Sequence, residues 1–362
     1  MKGGQGMKNR RRLVEILFFL AVMALSFYTV FHGQDIGQIW EELKKLSAFS
    51  ICAAIVTALF FVSAEGIMIC YLLRALGGKS GLLRCISYSF IGFFYSGITP
   101  SATGGQPMQL YYLKKDGNSL ADSSVVLMVV ALIYKFVLVV WGVLMLLFWR
   151  GPLESYLGNY FFGLYLLGLA LNAGLVVILL GVMLWPEGMK GMIRGAERLL
   201  VFLHLLKPSE KRKEKVLRFV DGYQNAIGFL IDHKRKVCFV VAFTCLQRAS
   251  VFVLTYIIYR GFNLEGTSMF AVMFLQASVY IAVDMLPVPG AQGITELMYR
   301  SVFLSVFTER FIMPSLYVTR GISFYFLLLV SLVVIGGNWV YRNDWFAERK
   351  KPEKTKNLKN PL

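Results

Sequence analysis

The sequence has few charged residues for its length. Only 16% of its 362 residues are Asp, Glu, Lys or Arg, whereas 57% are apolar. No soluble domain of this size needs that much apolar surface, and several apolar runs reach the ~20 residues that cross a bilayer. The composition therefore excludes a soluble protein and predicts an all-α fold, a polytopic bundle of membrane helices.

Residues that build catalytic and metal sites are also scarce. The five cysteines are scattered through apolar segments without a CxxC pair, and the three histidines are far apart. This spacing indicates neither a disulfide framework nor a zinc site. The phosphate-binding loop GxxxxGK followed by Ser or Thr is missing as well. We therefore expect no cofactor, and a driving force that comes from an ion, the membrane potential or a lipid gradient.

The formal net charge of +17 does not indicate a nucleic-acid partner, because the basic residues stand in blocks beside apolar runs. Such blocks occur at 10–12, 211–213, 234–236 and 349–351. This positive-inside pattern also suits an anionic lipid surface. It predicts a multi-pass protein of a bacterial-type cell membrane, with both termini and the loop 187–236 in the cytoplasm.

Six apolar runs are long enough to span the bilayer, at 13–31, 48–73, 120–148, 160–185, 237–259 and 315–340. Residues 35–47 have the pattern of a short helix on the outer surface, and 216–231 that of an amphipathic cytoplasmic helix. We expect a transmembrane domain at 1–342, followed by a basic, disordered tail at 343–362.

Two further apolar stretches are interrupted by Pro and Gly. One covers about 85–113, with its break at Gly97–Pro107, and the other about 268–307, with its break at Pro287–Gly293. Broken backbone at membrane depth is tolerated only inside protein or beside a watery cavity. The pattern favours two re-entrant hairpins, with surface loops as the alternative. Flanking charges place them on opposite sides, which is typical of an inverted-repeat transporter.

Charged residues also occur within the predicted membrane segments. Because such charges are costly in a bilayer, they usually mark a functional site. The alternatives are a structural ion pair or a side chain that reaches the interface. Both signs are present, as a zwitterionic lipid headgroup would require. The candidates are Glu65, Lys135, Arg248, Asp284, Glu296, Arg300 and Arg320.

The two breaks carry the motifs TPSATGGQP (99–107), followed by YLKK (112–115), and PVPGAQGITE (287–296). With them the sequence resembles the lysylphosphatidylglycerol synthase transmembrane, flippase-like family, although Ala291 replaces a usual glycine. Lys135 falls where members carry a basic residue between the motifs. The resemblance implies that motif residues bind substrate, and we take as candidates Thr99, Pro100, Thr103, Gly104, Gly105, Gln106, Pro289 and Gly290.

In the best-known bifunctional members of that family, this membrane region moves lysylated phosphatidylglycerol to the outer leaflet, and a separate C-terminal cytosolic domain makes that lipid. The chain ends soon after its last predicted span, so we expect that domain to be absent. The leading hypothesis is a flippase for an anionic or aminoacylated phospholipid. Lys135 would hold the phosphate, and Glu296 a cationic group or a coupling proton.

Other functions stay open at this point. One is a phosphatidylglycerol lysyltransferase or another lipid-modifying membrane enzyme, with Glu65, Asp284 or Glu296 as a base. Another is a non-catalytic partner of a separate synthase, and homo-oligomers are compatible with either. Relatives linked to polyprenyl-phosphate sugars suggest translocation of those lipids as a further alternative.

The topology is testable by cysteine labelling. A single cysteine at Ser209 or Lys356, in a cysteine-free background, should not react with an impermeant reagent in intact cells and should react after permeabilisation, because basic segments stay in the cytoplasm. Ready labelling of intact cells at either position would rule this topology out.

Overall fold

The computed structural model describes residues 36–99, 102–185, 191, 195 and 210–349. Within them the chain is all-α, with five stretches long and apolar enough to cross a membrane: Ala48–Ala75, Leu120–Phe148, Arg150–Leu184, Lys234–Gly261 and Pro289–Asn338. The predicted polytopic bundle of membrane helices is confirmed. The predicted span at 13–31, Pro100 and the tail beyond 349 lie outside the described residues.

The described helices are numbered in chain order. They are α1 (Ile36–Leu43), α2 (Ala48–Ala75), α3 (Leu82–Ile98), α4 (Gly105–Lys115), α5 (Leu120–Phe148), α6 (Arg150–Leu184), α7 (Glu210–Asp232), α8 (Lys234–Gly261), α9 (Met269–Val283), α10 (Ile294–Arg320) and α11 (Leu327–Arg349). A 3₁₀ turn at Pro289–Ala291 precedes α10, and a π-helical segment at Gly321–Phe326 joins α10 to α11.

The first broken hairpin is formed by α3 and α4. The chain leaves the helix after Ile98 and returns to it at Gly105, so the break falls within the predicted motif. Helix α4 packs so closely on α3 that a Cβ on Gly105 would lie 2.7 Å from the Gly92 carbonyl oxygen. Glycine is needed here because any side chain would separate the two arms.

The second broken hairpin consists of α9, the 3₁₀ turn and the first half of α10. Its return arm was predicted to end at Phe307, and Thr308 leaves the helical conformation with φ 62°. The chain does not stop there, because helix resumes through Pro314 and continues across the π-helical segment into α11. The return arm of the hairpin and the last predicted span therefore belong to one connected stretch, Pro289–Asn338.

The loop before the predicted span at 160–185 is helical in the structure. Helix α6 begins at Arg150, and Gly158, with φ 61°, separates its first two turns from the long part. Arg150 pairs with Glu154 at 2.7 Å, and Leu153 and Leu157 are buried. One apolar face and one i,i+4 ion pair stabilise this piece, which is too short for its periodicity to be evident in the sequence.

Surface helix α1 is tied to the second half of α10. Glu42 accepts hydrogen bonds from Arg310 and Lys45, each at 2.9 Å. These two hydrogen bonds, that of Arg310 above all, hold the pKa of the Glu42 carboxyl below its usual range. The predicted surface helix is thus present and anchored to α10.

The predicted amphipathic helix of the basic loop is present as α7. Val220, Tyr223, Ile227 and Leu230 are buried, and the Tyr223 hydroxyl lies 3.1 Å from the Met128 sulfur of α5. Ile231, which was predicted on the same face, is 46% exposed. Helix α7 therefore covers the end of α5 with one apolar stripe.

The described part of the predicted tail is helical. Helix α11 continues to Arg349, beyond the expected start of disorder at 343. Residues 343–349 contain Ala, Glu and Arg, which favour helix, and no Gly or Pro. The backbone therefore continues the preceding helix there.

Glycines allow close helix crossings elsewhere in the bundle. On α2, a Cβ at Gly66 would lie 2.5 Å from the Ile86 Cα of α3. On α6, a Cβ at Gly168 would lie 2.7 Å from the Ala282 Cα of α9 and closer still to the Ile281 carbonyl oxygen. Close approach through small residues is the usual way that membrane helices pack.

The α6–α9 crossing gives a stability prediction. Gly168→Ala should destabilise the protein by about 1–3 kcal/mol, because the methyl group meets rigid backbone. Gly174→Ala on the same helix is the control. It faces open space and should be neutral or stabilising by up to about 1 kcal/mol through helix propensity. Melting in detergent measures both, and equal shifts for the two variants would contradict the close crossing.

Candidate functional site

A cavity of about 680 Å³ lies between the two broken hairpins and is lined by both of them. Its volume is in the range of ~300–1,000 Å³ that is common for small-molecule sites. The first hairpin contributes Thr103 and Gln106, and the second contributes Asp284 and Gly290. The two interrupted segments, which are far apart in the sequence, therefore meet at one site.

The first break is closed by the side chain of Thr99. Its Oγ1 accepts a hydrogen bond from the Gly104 backbone N–H at 2.9 Å and donates one to the Tyr95 carbonyl at 2.6 Å. Ala102 adopts the left-handed region with φ 54°. Thr99 thus satisfies backbone groups that the broken helix leaves without partners, while Thr103 and Gln106 face the cavity.

The second break is closed by an ion pair. Glu296 Oε2 accepts a hydrogen bond from the Gly293 N–H at 2.6 Å, and Glu296 Oε1 accepts one from Arg320 Nε at 2.9 Å. Arg320 also donates to the Gly290 carbonyl at 3.1 Å. This carboxylate and this guanidinium therefore hold the turn and the start of α10 in place.

Gly290 and Ala291 both have positive φ, 60° and 50°. A Cβ on Gly290 would lie 2.5 Å from the Phe324 ring. Both the positive φ and this close contact therefore require glycine at position 290. Ala291 takes the same conformation with a side chain, which is strained for a residue other than Gly, Asn or Asp. The backbone at 291 therefore favours the glycine that the resemblance leads us to expect there.

A second ion pair joins the two halves of the chain. Lys135 Nζ on α5 pairs with Asp284 Oδ2 at the end of α9, and both side chains are only 15% exposed. Lys135 also lies 3.3 Å from the Met285 sulfur, and the Tyr134 hydroxyl is 3.3 Å from Asp284 Oδ1. Charges of opposite sign neutralise each other here at the edge of the cavity.

Arg248 on α8 is the most deeply buried of the predicted charges, at 1% exposure. Its guanidinium carbon lies 3.9 Å from the Tyr134 ring centre and 4.4 Å from that of Phe61. Its Nε and Nη1 have no hydrogen-bond partner. Two aromatic rings therefore hold the cation in place, whereas two of its nitrogen donors are left unsatisfied.

Glu65 on α2 faces the same cavity and is held by α4. Gln109 Nε2 donates to Glu65 Oε1 at 2.7 Å. Gln109 is 2% exposed and lies one turn after the first break. This hydrogen bond fixes the carboxylate against the first hairpin.

The sequence-predicted residues fall into three groups. Those that line the cavity are Glu65, Thr103, Gln106, Lys135, Arg248, Asp284, Gly290 and Arg320. Thr99, Gly104, Gly105, Pro289 and Glu296 belong to the breaks but are not among the lining residues. Arg300 is exposed and does not reach the cavity, because it lies on the outer face of α10. Pro100 lies outside the described residues.

Sequence reasoning missed the uncharged polar residues of the lining. They include Gln109, Tyr134, Gln247, Gln276, Tyr280, Thr319 and Ser323. Most of them stand as single polar residues within apolar helices, or next to a predicted charge. That isolation was the available signal, since a lone amide in a membrane helix needs a partner or a cavity.

The lining is chemically divided between helices. Helix α8 contributes only Gln247 and Arg248, whereas α6 contributes only Leu175 and Leu179. The other side of α6 carries Val177, at 68% exposure. One helix therefore presents a polar face to the cavity, and α6 is a thin apolar wall between the cavity and the outside of the bundle.

Comparison with known proteins adds a family to this geometry. A UPF0104 membrane protein of Pyrococcus horikoshii is 27% identical over 262 residues, which cover 70% of this chain and 76% of that protein. The sequence model of a protein family, the lysylphosphatidylglycerol synthase TM region, matches residues 12–331. This range includes both hairpins and every lining residue named above. The chain belongs to the lysylphosphatidylglycerol synthase TM region family.

Proposed function

We propose that the protein is a lipid translocase, a flippase for an anionic or aminoacylated phospholipid such as lysyl-phosphatidylglycerol. The headgroup passes through the cavity between the two breaks, and the acyl chains stay in the bilayer. The observation that carries this proposal is the divided lining, with Gln247 and Arg248 from α8 and Leu175 and Leu179 from α6. A lipid combines a polar headgroup with apolar acyl chains, and so it needs a polar and an apolar surface at the same site.

The distribution of charge supports a headgroup rather than a simple ion. The lining holds cations, Lys135, Arg248 and Arg320, together with the carboxylates Glu65 and Asp284. A cavity for a plain anion would need cations alone. Carboxylates close to cations suit a headgroup that carries a phosphate and an ammonium group.

The helix ends at the breaks favour the same ligand. Helices α4 and α10 both begin at a break, so their N-terminal N–H groups bring partial positive charge to this region. Half-helices that meet at the membrane midplane are characteristic of inverted-repeat transporters. We extend the proposal to two re-entrant hairpins of opposite orientation, with both termini in the cytoplasm.

A lipid-modifying enzyme fits the contacts less well. Each carboxylate expected to act as a base has a partner: Glu65 binds Gln109, Asp284 binds Lys135, and Glu296 binds Arg320. Among the described residues, no three His, Cys, Asp or Glu side chains are placed to hold a metal ion. A carboxylate that is ion-paired, as Asp284 and Glu296 are, is a weaker base than a free one.

The direct test is a leaflet assay in liposomes that contain the purified protein. Fluorescent phosphatidylglycerol, lysyl-phosphatidylglycerol, phosphatidylethanolamine and a polyprenyl-phosphate sugar are compared, and an impermeant quencher reports the outer leaflet. We expect the anionic or aminoacylated phospholipid to move faster than in protein-free liposomes. Movement of the polyprenyl lipid alone, or a chemically altered lipid, would replace this proposal with one of the alternatives.

The Lys135–Asp284 pair gives a second test. Lys135→Ala leaves Asp284 buried without its partner and should cost about 3–5 kcal/mol of stability if the pair is structural. The double variant Lys135→Ala, Asp284→Ala should recover most of that loss, because no charge is left unpaired. If Lys135 instead acts on the headgroup, Lys135→Ala should abolish translocation with little change in melting temperature. Parallel melting and transport measurements separate these outcomes.

A further inference from the structure

The Arg248 guanidinium has N–H donors that no group of the described protein accepts. Its side chain is 1% exposed, it lines the cavity, and its Nε and Nη1 lack partners. A buried charged donor without a partner is costly, and natural proteins rarely keep one without a reason. The rings of Phe61 and Tyr134 lie 4.4 and 3.9 Å from its guanidinium carbon and leave the Nε and Nη1 hydrogens without an acceptor, so these hydrogens are available to a ligand.

The carboxylates that line the cavity or stand at its breaks are already engaged elsewhere. Lys135 holds Asp284, Arg320 holds Glu296, and Gln109 holds Glu65. Within the described parts of the chain, no carboxylate lies within ion-pair distance of Arg248. Lys135 and Arg320, by contrast, each have a carboxylate at that distance. Among the described lining residues, Arg248 is therefore the cation without an ion-pair partner, although Glu65 attracts it electrostatically from beyond that distance.

The neighbouring residue has the complementary deficit. Gln247 is 2% exposed and lines the same cavity. Its amide Nε2 donates to the Phe61 carbonyl at 2.8 Å, which fixes the orientation of the amide. Its Oε1 is buried without a partner. Adjacent positions thus offer unsatisfied donors on Arg248 and an unsatisfied acceptor on Gln247.

We propose that Arg248 and Gln247 form the headgroup seat, in which Arg248 binds a phosphate and Gln247 accepts a hydrogen bond from a nearby hydroxyl or ammonium of the same ligand. This inference rests on the proposed function and specifies its substrate class as a phosphodiester that carries a hydrogen-bond donor beside the phosphate. Guanidinium–phosphate hydrogen bonds are charge-assisted and strong. Lys135 is a poorer first contact, because a phosphate must displace Asp284 from it.

The binding test uses soluble headgroups and thermal shifts. Glycerophosphoglycerol should raise the melting temperature of the wild-type protein through ligand linkage. Arg248→Met keeps a flexible apolar side chain beside the two rings and removes the charge. It should weaken the apparent affinity about tenfold to a hundredfold, as expected for lost hydrogen bonds to a charged group. Arg260→Met, on the same helix but 48% exposed in its side chain, should bind like the wild type.

Melting without ligand separates binding from folding. An unpaired buried charge does not stabilise the apo protein, so Arg248→Met should melt at the wild-type temperature or above it. A large decrease, together with lost expression, would mean that Arg248 is a structural cation held by its aromatic contacts, and would overturn the seat. Gln247→Leu provides an independent variant that leaves the guanidinium intact, and it too should weaken glycerophosphoglycerol binding.

The source of the phosphate is decided by competition. If inorganic phosphate protects as well as glycerophosphoglycerol, and Gln247→Leu has no effect on either, the site binds free phosphate and the lipid seat is wrong. If glycerophosphoglycerol raises the melting temperature more than inorganic phosphate does, and Gln247→Leu removes that difference, the seat recognises the hydrogen-bond donor of the headgroup. Arg248→Lys, which keeps the charge but lacks the planar guanidinium, should retain binding only in part.

The transport arm distinguishes failure of the seat from failure of the proposed function. With labelled phosphatidylglycerol in liposomes, Arg248→Met should raise the half-saturating lipid concentration about tenfold to a hundredfold, while Arg260→Met should not. Equal transport by wild type and Arg248→Met would overturn the seat and leave the translocase standing. Binding that depends on Arg248 in a protein that moves no lipid would remove the translocase and keep a phosphate site.

Discussion

The fold depends on the need to satisfy backbone groups where two helices break inside a membrane protein. Water is scarce there, so each broken segment needs partners from the protein itself. At the first break the Thr99 hydroxyl accepts a hydrogen bond from the Gly104 N–H. At the second break the Glu296 carboxylate accepts one from the Gly293 N–H. Because each break requires side chains and neighbouring helices around it, both are drawn into the bundle, and the cavity lies between them.

The same requirement explains why charged residues occur where lipid would exclude them. Arg320 and Glu296 close the second break, and each is also the partner that neutralises the other. Lys135 and Asp284 form an ion pair that connects α5 to the end of α9 in the same way. Two ion pairs therefore stabilise irregular backbone and leave Arg248, on a regular helix, outside both pairs.

Much of this arrangement could be predicted from the sequence, because proline and glycine mark breaks by local chemistry. The hairpins, the span at 120–148 and the amphipathic helix need only spacing and periodicity. Pairing needs more, since Lys135 and Asp284 are joined only by the tertiary fold, and the intramembrane charges all look equally unpaired in the sequence. Arg300 shows the limit, as it lies one turn after Glu296 and yet points away from the cavity.

The pairing pattern also bears on which headgroup suits the proposed translocase. A phosphate that takes Lys135 from Asp284 leaves a buried carboxylate alone, which is unfavourable. A headgroup with its own ammonium group can occupy both members of the pair, so that two pairs replace one and no charge is stranded. Such an exchange keeps binding reversible, as passage requires. Under the proposed function, an aminoacylated phospholipid is therefore better matched to this cavity than a purely anionic one.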